Sequence, residues 1–169
     1  VDESEADPHI YYANNVIATH NILNIMKLTR VNNIAFSSTA AVYGEENAGG
    51  VNEETSCNPS NVYGRTKLIC EEMIYDYCRA YGFTGVIFRF FNVCALNNPF
   101  LVHHHLMTVL KRAIKSDTTF EIYGDDYDTS DGTCVRDYIH VDDICAAFKI
   151  LTEKKMIGCS VYNLGRNSE

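Results

Sequence analysis

The chain has 169 residues, 46% of them hydrophobic and 21% charged, and 14 Lys and Arg stand against 22 Asp and Glu for a formal net charge of −8. That is enough apolar material for one packed domain, and the 3 prolines and modest charge argue against disorder. The acidic balance without any Lys/Arg run excludes the footprint of a nucleic-acid binder, and no apolar run of about 18 residues is present to span a membrane.

From Asp7 to Arg30, Tyr12, Val16, Leu23 and Met26 fall on one helical face, with Thr19 filling the gap. Asn33 to Ser37 is short and apolar and reads as a buried strand. A polar loop with Gly44, Gly49, Gly50 and Pro59 follows. Ser60 is placed to cap a helix running to about Tyr81, with Ile69, Met73, Tyr77 and Tyr81 on its core side, and Gly82 ends it. Val86 to Phe90 is the next strand. A loop through Asn98-Pro99 leads to a helix with Val102, Leu106, Val109 and Ala113 on one face. Phe120 to Tyr123 and Cys134 to Arg136 read as short strands around a Gly/Asp turn. Asp142 is expected to cap a helix carrying Ile144, Ala147, Phe148 and Leu151, and Val161 to Asn163 reads as a last strand. Helices alternating with apolar strands predict an α/β fold, a doubly wound parallel sheet covered on both faces.

The seven cysteines (Cys57, Cys70, Cys78, Cys94, Cys134, Cys145 and Cys159) are odd in number and contain no CxxC pair, so they indicate neither a disulfide framework nor a zinc site. No basic-then-apolar leader and no Asn-x-Ser/Thr acceptor occurs, so the expected setting is a reducing cytoplasm with most thiols acting as small buried hydrophobes. Consecutive residues of a helix point about 100° apart, so His103-His104-His105 is not expected to chelate one metal ion. His140 reads as a structural, hydrogen-bonded histidine and Cys94 as packing. The start at Val1 and the polar close at Glu169 are those expected of a central piece of a longer protein.

The strongest chemical signal is Tyr63-Gly64-Arg65-Thr66-Lys67, preceded by Ser37-Ser38-Thr39 at a strand end. Tyr63 and Lys67 are four residues apart in a helix and project from one face. An ammonium near a phenol favours the phenolate, so Lys67 is expected to lower the Tyr63 pKa and make a base usable near neutral pH. Thr39, from the strand-end loop, is placed to hold the substrate oxygen that gains and loses the proton. Tyr-x-x-x-Lys alone is as well explained by an exposed pair on a solvated helix. Its place after a strand-end Ser-Ser-Thr and before another parallel strand gives it weight.

With these residues the sequence resembles the extended short-chain dehydrogenase/reductase superfamily, and within it the UDP-glucose 4-epimerase branch. The resemblance runs through Tyr11 to Val16, Phe36 to Gly44, Tyr63 to Lys67, Arg89-Phe90-Phe91-Asn92, Asp131 to Val141 and Tyr162 to Gly165. It implies the second half of a Rossmann-like NAD-binding domain over residues 1–93, including the Tyr/Lys pair. Residues 94–169 are then mixed segments of a smaller substrate-binding lobe with a returning Rossmann helix and strand. It also implies NAD as cofactor, a UDP-sugar as substrate and a homodimer formed through helices matching residues 7–30 and 61–81.

Carried over position by position, Tyr63 is the base, Lys67 its partner at the nicotinamide ribose, and Thr39 the hydroxyl of the catalytic set. Asn14, Ser37 and Ser38 fall near the cofactor. Asn92, His105, Leu106, Tyr123 and Arg136 fall near the UDP-sugar, with Tyr123 beside the uracil and Arg136 on the diphosphate. An acidic chain must gather local positive charge to hold that dianion; the structural alternative for Arg136 is an ion pair with Asp137 or Asp142. The implied reaction takes hydride from C4, turns the 4-keto sugar over and returns hydride to the other face. The 4,6-dehydratases carry an Asp-Glu pair after the catalytic Thr, where this sequence has Ala40 and Ala41, so epimerisation without elimination is favoured. Two alternatives stay open: another UDP-sugar as substrate, and a truncated homologue without activity. The glycine-rich loop of the family is expected before the residue matching Val1, and the loop between Asn92 and His104 is shorter than the family's.

Overall fold

The computed structural model describes residues 2–44, 50–95, 106–122 and 124–166. Its elements in chain order begin with α1 (Asp2–Ala6), α2 (Pro8–Tyr11), a π turn (Tyr12–Ile17) and α3 (Ala18–Thr29). Strand β1 (Asn33–Thr39) runs into a 3-10 turn (Ala40–Tyr43), followed by α4 (Val62–Tyr81), β2 (Thr84–Phe90) and β3 (Asn92–Cys94). Then come α5 (Leu106–Ser116), β4 (Tyr138–His140), α6 (Val141–Glu153) and β5 (Cys159–Leu164).

Strands β1, β2 and β5 form a parallel sheet in that order. Ile34, Phe36 and Ile87 face α3 and α4, whose Leu23, Met26, Ile74 and Cys78 complete the apolar core together with Phe83 from the turn between α4 and β2. Side chains of this size each contribute about 1.5–3 kcal/mol when fully buried, so this face drives the fold. On the opposite face Phe88 meets Phe148 of α6 edge-on, with ring centroids 5.0 Å apart, and Tyr162 at 6.2 Å. The sheet is thus covered on both sides, as the alternation of elements predicts.

Local differences from the sequence reading have physical reasons. The expected helix over 7–30 contains a π turn, whose extra residue rotates the register before it. Tyr12 is therefore exposed, and Tyr11 turns its ring against Tyr63 instead, centroids 6.1 Å apart. The core face of α4 lies one residue further along than expected, on Cys70, Ile74 and Cys78, while Tyr81 is exposed.

Asn61, not Ser60, caps α4: it is extended at φ −137° and accepts from the Gly64 N–H at 2.8 Å. Gly82 ends the helix at φ 68°, the left-handed position a glycine tolerates. His140, not Asp142, caps α6, with Nδ1 accepting from the Asp142 N–H at 3.2 Å.

Among the described residues, neither 120–123 nor 134–136 contains a strand. Among the described residues, 120–122 pairs with no strand, and 134–136 follows directly on an Asx turn in which Asp131 accepts from the Thr133 N–H at 2.9 Å. The pairing occurs two residues further on, where Tyr138–His140 lies parallel to Asn92–Cys94. Of the cysteines, Cys70 and Cys78 are buried and Cys134 and Cys145 exposed, and all seven are free thiols. Among the described residues no helix is long and apolar enough to cross a membrane.

Candidate active site

The carboxyl ends of β1 and β2 open onto a cleft of about 1000 Å³. Its walls include Ser38 and Thr39 from β1, Ala40, Ala41 and Tyr43 from the 3-10 turn, and Asn61 and Tyr63 from the start of α4. Phe90, Phe91, Asn92 and Val93 close one side, and Tyr127, Val135, Arg136 and Asp137 the other. Thr39, Tyr63, Asn92 and Arg136, singled out in the sequence, therefore share one cleft although the chain separates them widely.

The start of α4 is held by three side-chain acceptors. Besides the Asn61 cap, the Val62 N–H donates to Glu5 Oε1 at 2.7 Å and the Tyr63 N–H to Ser4 Oγ at 3.3 Å. Three of the free amides that open a helix are thereby satisfied, two of them by α1. Gly64 is required by contact: a Cβ there would stand 2.6 Å from the Ala41 carbonyl oxygen. The glycine lets the first turn of α4 approach the 3-10 turn that follows Thr39. Thr39 caps that turn, its Oγ1 accepting from the Ala41 N–H at 3.2 Å. Asn15 Nδ2 donates to Thr66 Oγ1 at 2.9 Å, and Thr66 Oγ1 donates to the Tyr63 carbonyl at 2.9 Å, which ties the π turn to the same helix.

Burial pushes the Tyr63 phenol above its ordinary value, and a hydrogen bond with Thr39 draws it partly back. Burial also pushes the Lys67 ammonium down. Lys67 Nζ donates to the Ser37 carbonyl at 3.0 Å and lies 5.9 Å from the centre of the Tyr63 ring. The expectation that Lys67 lowers the Tyr63 pKa is corrected here: in the protein alone, Thr39 is the group that favours the phenolate, and desolvation outweighs it.

The remaining sequence candidates are placed as follows. Asn14 is exposed on the π turn, and the asparagine that bonds inward is Asn15. Ser38 is 2% exposed with its hydroxyl given to Glu71. Asn92 Nδ2 donates to the Asp137 carbonyl at 2.9 Å, which joins β3 to the strand beside it. Arg136 is exposed and donates to the Val135 carbonyl at 2.9 Å, and it makes no ion pair among the described residues. Leu106 opens α5, half exposed and away from the cleft walls. His105 and Tyr123 lie outside the described residues. Among the described residues no group of three or more His, Cys, Asp or Glu is arranged to hold a metal ion.

Sequence reasoning missed a buried polar group behind the cleft. Arg89 Nη2 donates to Glu71 Oε2 at 2.6 Å, Arg89 Nη1 to the Tyr43 hydroxyl at 2.8 Å, and that hydroxyl to Asn163 Oδ1 at 2.7 Å. Burial alone lowers the Arg89 pKa, and Glu71 and Tyr43 more than offset it, so the guanidinium is held above its ordinary value. One signal was available: an arginine inside the apolar run Val86 to Phe90 demands a buried partner, and Glu71 lies on the Tyr63–Lys67 face of α4.

Comparison with known proteins extends this geometry. The model of the NAD dependent epimerase/dehydratase family matches residues 1–165. A UDP-glucose 4-epimerase of Halalkalibacterium halodurans is 39% identical over 98% of this chain and 52% of its own length. The structure of UDP-glucose 4-epimerase from Brucella ovis in complex with NAD is 40% identical with a TM-score of 0.81, over 98% of this chain and 54% of that one. That from Bifidobacterium longum in complex with NAD+ and UDP is 37% identical with a TM-score of 0.84, over 96% of this chain and 52% of that one. The chain spans about half the length of the curated relatives it matches.

Proposed function

The chain belongs to the NAD dependent epimerase/dehydratase family, and from that premise we propose that it carries the reacting face of an NAD-dependent UDP-hexose 4-epimerase. The reaction interconverts UDP-galactose and UDP-glucose through a 4-keto sugar. The observation that carries this reading is the single cleft that gathers Thr39, Tyr63, Asn92 and Arg136. Ala40 and Ala41 line the same cleft and have no acid or base with which to expel water, which favours epimerisation over dehydration.

The residues present suit the nicotinamide-ribose end of NAD. The cleft opens at the carboxyl ends of parallel strands, where such sheets take their ligands, and Lys67 stands beside it on the Ser37 carbonyl. When bound, NAD supplies the redox chemistry, accepting hydride from C4 and returning it to the opposite face. Tyr63 takes the proton from the C4 hydroxyl and gives it back. The Thr39 hydroxyl holds that oxygen and steadies the phenolate. Arg136, free of carboxylate partners among the described residues, pairs with the diphosphate. Asn92, its amide nitrogen committed to Asp137, offers Oδ1 to a donor on the UDP-sugar. Exposed Ile22, Ile25 and Leu28 along α3 support a homodimer through this helix, which the molar mass from sedimentation equilibrium tests.

The deciding assay follows conversion of UDP-galactose to UDP-glucose with NAD, using this chain beside one carrying its native flanking sequence. Turnover in the extended chain is the expected result. Silence in both with NAD bound overturns the reading in favour of an inactive homologue. Preferential turnover of UDP-N-acetylglucosamine, run alongside, reassigns the substrate within the same branch.

A further inference from the structure

We propose that Glu71 and Arg89 are positioning residues for Thr39: the buried pair holds both ends of the segment from Ser38 to Tyr43 and so sets where the Thr39 hydroxyl stands relative to the Tyr63 phenol. This rests on the reading of Tyr63 and Thr39 as the proton-handling pair of the epimerase.

The strand register creates the device. Ser38 pairs with Arg89, and Arg89 with Asn163, so one row crosses all three strands with its side chains on one face of the sheet. Glu71 of α4 lies over this row. Its carboxylate accepts from the Ser38 hydroxyl and from Arg89 Nη2 and Nε, the latter two at 2.6 and 3.1 Å. At the other end of the segment, Arg89 Nη1 donates to the Tyr43 hydroxyl and the guanidinium lies 4.8 Å from the centre of that ring. Ser38 and Tyr43 are each 2% exposed, Glu71 4% and Arg89 6%. Thr39 follows the first anchor directly and precedes the second by one short turn.

Sheet packing alone does not call for this arrangement. Removing two charges from water costs about as much as their attraction returns, so an apolar pair in the same row would serve the core equally well. What the ion pair adds is direction, because its hydrogen bonds to Ser38 and Tyr43 bracket the segment that presents Thr39. The anchor also sits on the helix that carries Tyr63, two turns along the face shared with Lys67. One rigid helix therefore fixes both the phenol and the opposing hydroxyl. Around the phenol stand Tyr11 from α2, Lys67 from α4 and Thr39 from β1; around Arg89 stand Glu71, Tyr43 and the Cys57 thiol.

The test uses the chain with its native flanking sequence. Ser38→Ala and Tyr43→Phe each cut one link without leaving a buried charge unpaired, unlike substitution of Glu71 or Arg89. The Tyr63 phenol is titrated by NMR of carbon-13-labelled tyrosine, its resonance assigned with Tyr63→Phe. Ser38→Ala is expected to move that titration to higher pH and to lower kcat about tenfold, with KM for the UDP-sugar changed by less than about twofold. Thr39→Val is expected to give the same shift, and adding Ser38→Ala to it to change neither quantity further. Tyr43→Phe is expected to act in the same direction. A Ser38→Ala effect confined to melting temperature, or one that adds in full to Thr39→Val, overturns the proposal. If the unsubstituted chain turns over no UDP-sugar, the epimerase reading fails, while the Tyr63 titration still decides whether the pair positions Thr39.

Discussion

Lys67 is bound to Ser37, not to Tyr63: its Nζ donates to the strand carbonyl at 3.0 Å and so ties the second turn of α4 to the end of β1. The ammonium is turned toward the strand and the Phe36 ring, 4.9 Å from its centre. With burial pushing Lys67 down and Tyr63 up, the phenol of the protein alone is protonated at neutral pH. Activity that needs the phenolate then rises with pH through neutrality.

Tyr63→Phe is expected to lower kcat by about 10²–10⁴-fold, the usual worth of a positioned acid–base group, while NAD remains bound. Lys67→Met removes the donor to Ser37 and is expected to lower kcat as well. Steady-state kinetics across pH, with fluorescence of bound NADH as the cofactor readout, checks both. Retained turnover in Tyr63→Phe would falsify the base assignment.

Gly64→Ala places a Cβ against backbone, 2.6 Å from the Ala41 carbonyl oxygen, with the Pro59 side chain at 3.1 Å. Neither neighbour is a flexible side-chain end that moves cheaply. A loss of about 1–3 kcal/mol is expected, of the size found for overpacked cores. Because the displaced turn begins at Thr39, kcat should fall with it. Chemical denaturation and kinetics on the same variant test the two effects together, and an unchanged midpoint contradicts the contact argument.

Arg136→Ala is expected to raise KM for the UDP-sugar about tenfold or more while leaving kcat within a few-fold, the pattern of a group that binds ground and transition states alike. Its melting temperature should be unchanged, since Arg136 is exposed and makes no ion pair among the described residues. A fall in melting temperature without a change in KM returns Arg136 to a structural role.

The thiols are expected to make stability fall at alkaline pH. Burial pushes Cys159 from 9.0 up to about 12, with Cys78 beside it reinforcing the shift, and Cys70 and Cys78 are raised by burial as well. A group whose folded pKa is raised lends its stability below the unfolded value, and that contribution disappears as pH climbs toward the folded one. Melting temperature should therefore drop between pH 9.0 and about 12. Cys159→Ala should flatten that drop whatever it does to stability at neutral pH, and an unaltered slope rules the thiol out as its source.

Much of this protein was legible in the linear chain because the signals are local. The strand Val86 to Phe90, the helix ending at Gly82 and the apolar face of Ile144, Ala147 and Phe148 follow from periodicity and capping, which neighbouring residues decide among themselves. The Tyr63–Lys67 spacing likewise needs only a helix. The π turn at Tyr12–Ile17 has no such signature, since an inserted residue is stabilised by what it packs against, here Thr66 through Asn15.

What sequence alone determined was the α/β class, the main helices, the three strands of the parallel sheet and the identity of the candidate groups. Tertiary structure decided which of them meet. The links from Ser38 to Glu71 and from Tyr43 to Asn163 span 33 and 120 positions, and no spacing rule reaches that far. They exist because parallel register sets Ser38, Arg89 and Asn163 in one row and α4 lays Glu71 across it. The same packing half-buried Tyr63 and Lys67 and reversed the expected direction of the tyrosine's pKa, because desolvation depends on what covers a group and not on which residue lies four positions away.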